Sequence, residues 1–110
     1  MNKNILPLEK LKILVIDDHE LVLGGTIDVL KRQYPEAEIL TAQTSRSALT
    51  KIEKIQLNLV VMDLSIPETL GIPAKVDTGI QLLKTFLNNY PTLNIVVQST
   101  YIRALQHFLV

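Results

Sequence analysis

Short, nearly continuous apolar runs alternate along this chain with longer stretches in which apolar residues recur every three or four positions. Lys12 to Ile16 runs apolar into Asp17 and Asp18, predicting a buried strand that ends in two acids. Leu23, Ile27, Leu30 and Tyr34 then share one helical face until Pro35 ends the pattern, although Gly24 and Gly25 weaken its early part by about 1 kcal/mol each relative to Ala. Glu38 to Ala42 is a short second strand. Thr44 or Ser45 can cap the next helix, with Ala48, Leu49, Ile52 and Ile55 as its buried stripe. A third strand closes the run Leu57 to Met62 and leads into Asp63-Leu64-Ser65-Ile66-Pro67.

The connection from Leu64 to Asp77 holds Pro67, Gly71 and Pro73 and is longer than an ordinary strand-to-helix link. A helix starting near Thr78 places Ile80, Leu83, Leu87 and Tyr90 on one face and stops before Pro91. Asn94 to Val97 makes a fourth strand, ending at Gln98-Ser99-Thr100, and Tyr101 to Leu109 supplies a last helix. Strict alternation of strand and helix predicts an α/β fold: a doubly wound parallel sheet with right-handed crossovers.

Composition narrows the function classes. The 110 residues suffice for one core, and 11 basic residues balance 11 acidic ones without a basic run, so the segment lacks the electrostatic footprint of nucleic-acid binding. The absence of cysteine excludes a disulfide framework and a Cys-based metal site, and suits a cytoplasmic location. Residues Met1 to Leu11 read as a short leader without the apolar core of a signal peptide, and no run approaches the length of a membrane span, so no membrane partner is expected.

Polar groups gather at three strand ends: Asp17 and Asp18 after the first, Asp63 after the third, Ser99 and Thr100 after the fourth. In an open parallel sheet, ligands bind just outside the carboxyl ends of the strands, and the first and third strands are neighbours across the switch point. Three carboxylates in one crevice repel. Such a cluster persists by raising a pKa or by holding a cation, and hard oxygen ligands suit Mg²⁺. The ion then neutralises a phosphoryl group, and a hydroxyl at the next strand end hydrogen-bonds its oxygens.

The set Ile16-Asp17-Asp18-His19, then Met62-Asp63-Leu64-Ser65-Ile66-Pro67, then Val97-Gln98-Ser99-Thr100 closely resembles the receiver domain of two-component response regulators, from Lys12 to the last residue. The Asp-Asp-His start looks most like regulators of the LuxR/NarL type, which carry a helix-turn-helix output domain. The resemblance implies a flavodoxin-like receiver fold over residues 12–110. It implies that Asp63 is the phosphoacceptor, attacking the phosphoryl group of a phosphohistidine on a sensor histidine kinase or phosphotransfer protein. Asp17 and Asp18 match the acidic pair that holds Mg²⁺ together with Asp63 and the carbonyl of Ser65. Ser99 matches the switch hydroxyl, and Pro67 the proline that shapes the acceptor loop. The implied function is phosphorelay signal transduction that switches a transcriptional output. It is a switch more than a turnover enzyme, with DNA reached only through an output domain absent from this chain.

Two departures stand beside the resemblance. The glycine that begins the third helix of receivers has its counterpart in Gly79, which implies about eight extra residues in Glu68 to Thr78. This loop gates access to the site, contacts a partner, or is a tolerated surface insertion. The chain also lacks the fifth strand, with its lysine and aromatic switch residue, and the fifth helix, so the receiver is expected to be incomplete. Lys75 is a weak substitute for that lysine. Apolar surface left open beside the fourth strand predicts self-association. The competing reading is a degenerate receiver that serves as a dimerisation or docking module without being phosphorylated.

Blander roles exist for most of these residues. Asp17 and Asp18 can be the N-cap and first-turn acids of the first helix, and Ser99 can cap the last one. His19 reads as an exposed first-turn residue, and His107 has no evident partner.

Overall fold

Residues 10–98 are described by a computed structural model. Four parallel strands, β1 (Lys12–Ile16), β2 (Glu38–Ala42), β3 (Leu59–Met62) and β4 (Asn94–Val97), lie in the order β2-β1-β3-β4. The helices α1 (Glu20–Gln33), α2 (Ser45–Lys54) and α3 (Val76–Asn89) connect them.

Strand side chains alternate between faces, and this alternation makes two cores. Leu14, Ile16, Val60 and Met62 point to one face, where Ala48 and Ile52 of α2 and Leu82 and Phe86 of α3 cover them. Ile13, Val15 and Val61 point to the other, under Leu23 and Leu30 of α1. Phe86 is fully buried, and a side chain of that kind contributes about 1.5–3 kcal/mol through the area it removes from water. With α1 on one face and α2 and α3 on the other, the sheet is doubly wound, as the alternation of elements predicts.

Strands β1, β2 and β4 coincide with their predicted spans, while β3 begins at Leu59, two residues later than the apolar run. Asn58 instead ties the ends of neighbouring strands: its N–H donates to the Lys12 carbonyl at 2.9 Å and its Oδ1 accepts from the Lys12 N–H at 2.7 Å. Of the predicted α2 stripe Ala48 and Ile52 are buried, Leu49 is half-buried, and Ile55 is the half-buried C-cap beyond the helix; of the two candidate caps Thr44 is the one used, its side-chain oxygen accepting from the Ser47 N–H at 3.1 Å.

Two helical expectations need correction. Tyr34 is exposed at the end of α1 and is no part of the buried stripe. Helix α3 starts at Val76, two residues early, and centres its buried face on Gly79, Leu82 and Phe86, leaving Leu87 exposed and Ile80, Leu83 and Tyr90 half-buried. Its apolar residues span more than one stripe, so periodicity alone admits two rotations of the helix. Contact with the sheet and the Leu64 backbone selects one of them. The expected last helix, Ser99, Thr100 and His107 lie outside the described residues. No helix among those described is long and apolar enough to cross a membrane.

Candidate functional site

Backbone pairing carries the site residues to one edge of the sheet. Ile16 and Met62 are register partners in β1 and β3, so the residues that follow them, Asp17 and Asp63, emerge side by side. Hydrogen bonds of strand type run one residue past each strand: Asp17 N–H to the Ala42 carbonyl at 3.0 Å, Asp63 N–H to Ile16 at 2.9 Å and Gln98 N–H to Met62 at 2.8 Å. The positions of the acids are therefore set by the ladder and not by loop conformation. Asp17 and Asp63 are both buried, at 5% and 7% exposure, and Asp18 is half-buried beside them.

Local turns orient the carboxylates. Asp63 Oδ1 accepts the Ser65 N–H at 3.1 Å, a side-chain turn that begins the acceptor loop. No other side-chain hydrogen bond engages Asp63 among the described residues. Asp17 Oδ1 accepts the His19 N–H at 2.9 Å and lies 3.2 Å from His19 Nδ1. Asp18 Oδ1 lies 3.0 Å from the same ring nitrogen without forming a hydrogen bond, and it is a buried oxygen with no hydrogen-bond partner. The N-cap of α1 is His19 and its first-turn acid is Glu20, so the bland reading of Asp17 and Asp18 as cap and first-turn acids does not describe this structure.

Electrostatics follow from that crowding. Burial raises the pKa of Asp17, and the nearby Asp63 charge adds to the rise, against the opposing hydrogen bond from the His19 backbone. The His19 pKa is raised by its side-chain contact with Asp17 and by the Asp18 charge. Among the described residues no Lys or Arg pairs with the cluster, and Lys75 is held through its backbone N–H to the Ile66 carbonyl, at 3.1 Å. One donor atom each from Asp17, Asp18, His19 and Asp63 falls within 4.8 Å of all the others. The buried Asp18 oxygen that accepts no hydrogen bond, two buried acids beside it and the small span of the donor set fit a divalent cation.

The acceptor loop is braced from two sides that periodicity could not reveal. Ile66 is fully buried and bridges to Lys75, closing the base of the long insertion. Pro67 is buried too, and its carbonyl accepts the Ser45 N–H at 3.0 Å while the Glu68 carbonyl accepts the Arg46 N–H at 3.1 Å. With Thr44 serving Ser47, the first turn of α2 is satisfied largely by the loop itself. On the opposite side, Gly79 in the first turn of α3 lies against the Leu64 backbone so closely that a Cβ could not be accommodated. The contact of His19 with two acids was also beyond the sequence, its only signal being a side chain capable of metal ligation directly after the acid pair.

Comparison with known proteins gives one answer from three directions. The family described as response regulator receiver domain matches residues 13–106. The transcriptional regulatory protein YhcZ of Bacillus subtilis is 34% identical over 91 residues, covering 83% of this chain and 39% of that protein. The transcriptional regulatory protein DegU of Brevibacillus brevis is 27% identical over 93 residues, covering 84% of the chain and 36% of its own length. Among solved structures, the RcsB response regulator of Salmonella typhimurium superposes with a TM-score of 0.66 at 23% identity, covering 84% of this chain and 44% of that one. The chain thus spans about two fifths of the length of the curated relatives it matches.

Proposed function

The chain belongs to the response regulator receiver family, and from that premise we propose that it accepts a phosphoryl group on Asp63 in phosphorelay signalling. The observation that carries this reading is the convergence of Asp63, Asp17 and Asp18 at adjacent strand ends, with a buried Asp18 oxygen that accepts no hydrogen bond among them.

In this reading the Asp63 carboxylate attacks the phosphorus of a phosphohistidine. The new O–P bond forms as the P–N bond breaks, and the departing imidazole takes up a proton. The Ser65 N–H holds Asp63 Oδ1, which leaves the second oxygen to face the donor. Asp17, Asp18, Asp63 and the Ser65 carbonyl would hold Mg²⁺, which supplies charge neutralisation for the phosphoryl oxygens. Ser99, just past Gln98, is the switch hydroxyl, and Pro67 fixes the shape of the loop that must respond. The chain acts as a switch and not as a turnover enzyme.

Its phosphodonor is a sensor histidine kinase or phosphotransfer protein, and its output is transcriptional, exerted through a DNA-binding domain beyond the matched part of its relatives. The location that suits these partners is the cytoplasm. Self-association is supported by the apolar strip formed by Val22, Val29 and Val96, all at least 41% exposed.

Intact mass after incubation with Mg²⁺ and a small acyl phosphate tests the reading. A gain of one phosphoryl group that disappears in Asp63→Asn and in metal-free samples is expected. No gain in the unmodified chain would replace it with a docking module that is not phosphorylated.

A further inference from the structure

We infer that His19 is a further ligand of the cation site, beside the carboxylates of Asp17, Asp18 and Asp63, and makes it selective for first-row transition ions, with Zn²⁺ as the probe. The inference rests on the cation reading of the acidic cluster given above.

The geometry starts from the backbone. His19 is the N-cap of α1, in an extended conformation with φ −100° and ψ 116°. Its N–H is held by Asp17 Oδ1 at 2.9 Å and its carbonyl by the Leu23 N–H at 3.0 Å. The Cα is thus anchored at the rim of the crevice, and although the side chain is 66% exposed its Nδ1 lies 3.2 Å and 3.0 Å from one oxygen each of Asp17 and Asp18. Zinc takes nitrogen and oxygen ligands at about 2.0–2.2 Å, so the ligand atoms of a tetrahedral ion stand about 3.3–3.6 Å apart. The four donor atoms here already lie within 4.8 Å of one another, and modest side-chain rotation brings them onto a single ion.

Donor chemistry then decides selectivity. Carboxylates and carbonyls suit Mg²⁺, whereas an imidazole nitrogen favours Zn²⁺ and its neighbours in the first transition row. Three carboxylates and one imidazole are enough to close a tetrahedral zinc site. His19 is therefore a specificity-determining ligand: it sets which ion the cluster keeps.

A simple counter-ion role gives the opposite signature. If the ring merely neutralises two acids and leaves when a cation arrives, removing it frees the site and strengthens binding of every divalent ion.

Isothermal titration of Zn²⁺ and, separately, Mg²⁺ into the 110-residue chain carrying His107→Gln distinguishes the two, because His19 is then the one remaining imidazole. Adding His19→Gln is expected to weaken Zn²⁺ binding by at least about tenfold, since even loss of an outer-shell partner costs roughly 10- to 100-fold. Mg²⁺ affinity is expected to change by less than that, so that the ratio of Zn²⁺ to Mg²⁺ affinity falls, and a cooperative thermal melt of the metal-free variant shows that it is folded. Zn²⁺ affinity that does not move, or that moves equally with Mg²⁺ in either direction, overturns the inference. Absence of Mg²⁺ binding to the unmodified chain, with Zn²⁺ binding still dependent on His19, would instead count against the phosphoacceptor reading and leave this one standing.

Discussion

Gly79 lies against the main chain of Leu64, and a Cβ added there would come within 2.5 Å of the Leu64 Cα and closer still to its carbonyl group. This contact joins the first turn of α3 to the residue following Asp63, so the helix braces the acceptor loop through bare backbone. A side chain at this position cannot be relieved by a rotamer change, because the obstructing atoms are main chain.

Gly79→Ala is accordingly expected to lose about 3 kcal/mol, the upper end of the cost of overpacking. Gly25→Ala supplies the contrast: it sits in the middle of α1 with nothing within 4 Å of an added Cβ. That change is expected to gain about 0.5–1 kcal/mol from helix propensity alone. Urea unfolding of the two variants should shift the midpoint in opposite directions.

Asp17 is expected to destabilise the metal-free fold at neutral pH. Its folded pKa lies above the ordinary 3.8, first through burial and then through Asp63. A carboxyl raised in this way is fully compatible with folding below its unfolded pKa, and that stability is lost as pH rises through the folded value. Asp17→Asn should therefore be more stable than the parent at pH 7 without metal. The difference should shrink as pH falls toward 3.8. Mg²⁺ should stabilise the parent and not the variant, as thermal melts with and without the ion would show.

The brace between the long loop and α2 is made of backbone carbonyls, with one cap side chain. Thr44→Ala removes the acceptor of the Ser47 N–H and is expected to cost about 1 kcal/mol. Glu68→Ala removes only an exposed ion pair with Arg46, at 3.7 Å, and pairs of that kind contribute about 0–1 kcal/mol. Chemical denaturation should find the first change clearly and the second barely at all, since the Glu68 carbonyl survives the substitution.

Strand β4 pairs with β3 on one side only among the described residues, and Val96 on it is 50% exposed. Concentration-dependent association in sedimentation equilibrium is expected. Val96→Lys should suppress it, because a charge on an edge strand opposes further pairing and breaks the apolar strip. Association unaffected by the substitution would place the contact elsewhere.

The alternation of apolar runs with helical stripes was enough to determine four strands, three helices and the parallel, doubly wound sheet, because burial on two faces imposes a periodicity that can be read directly. The three acids at strand ends were legible for the same reason: a carboxylate that closes an apolar run has one place to go in such a sheet. Their meeting depended on register, and the pairing of Ile16 with Met62 is a long-range relation that no local pattern encodes. The same limit explains Leu87 and the start of α3, where local periodicity admitted more than one helical rotation, whereas Tyr34 lies just past the end of α1, where that periodicity no longer places a side chain. It explains as well why Glu68 to Thr78 read as an insertion of open purpose. Only tertiary structure brings the Pro67 and Glu68 carbonyls to the first turn of α2, Gly79 to Leu64, and the His19 ring to two acids. Each of these is a contact of backbone or of a single side chain, made between elements, and so leaves no periodic trace in the sequence.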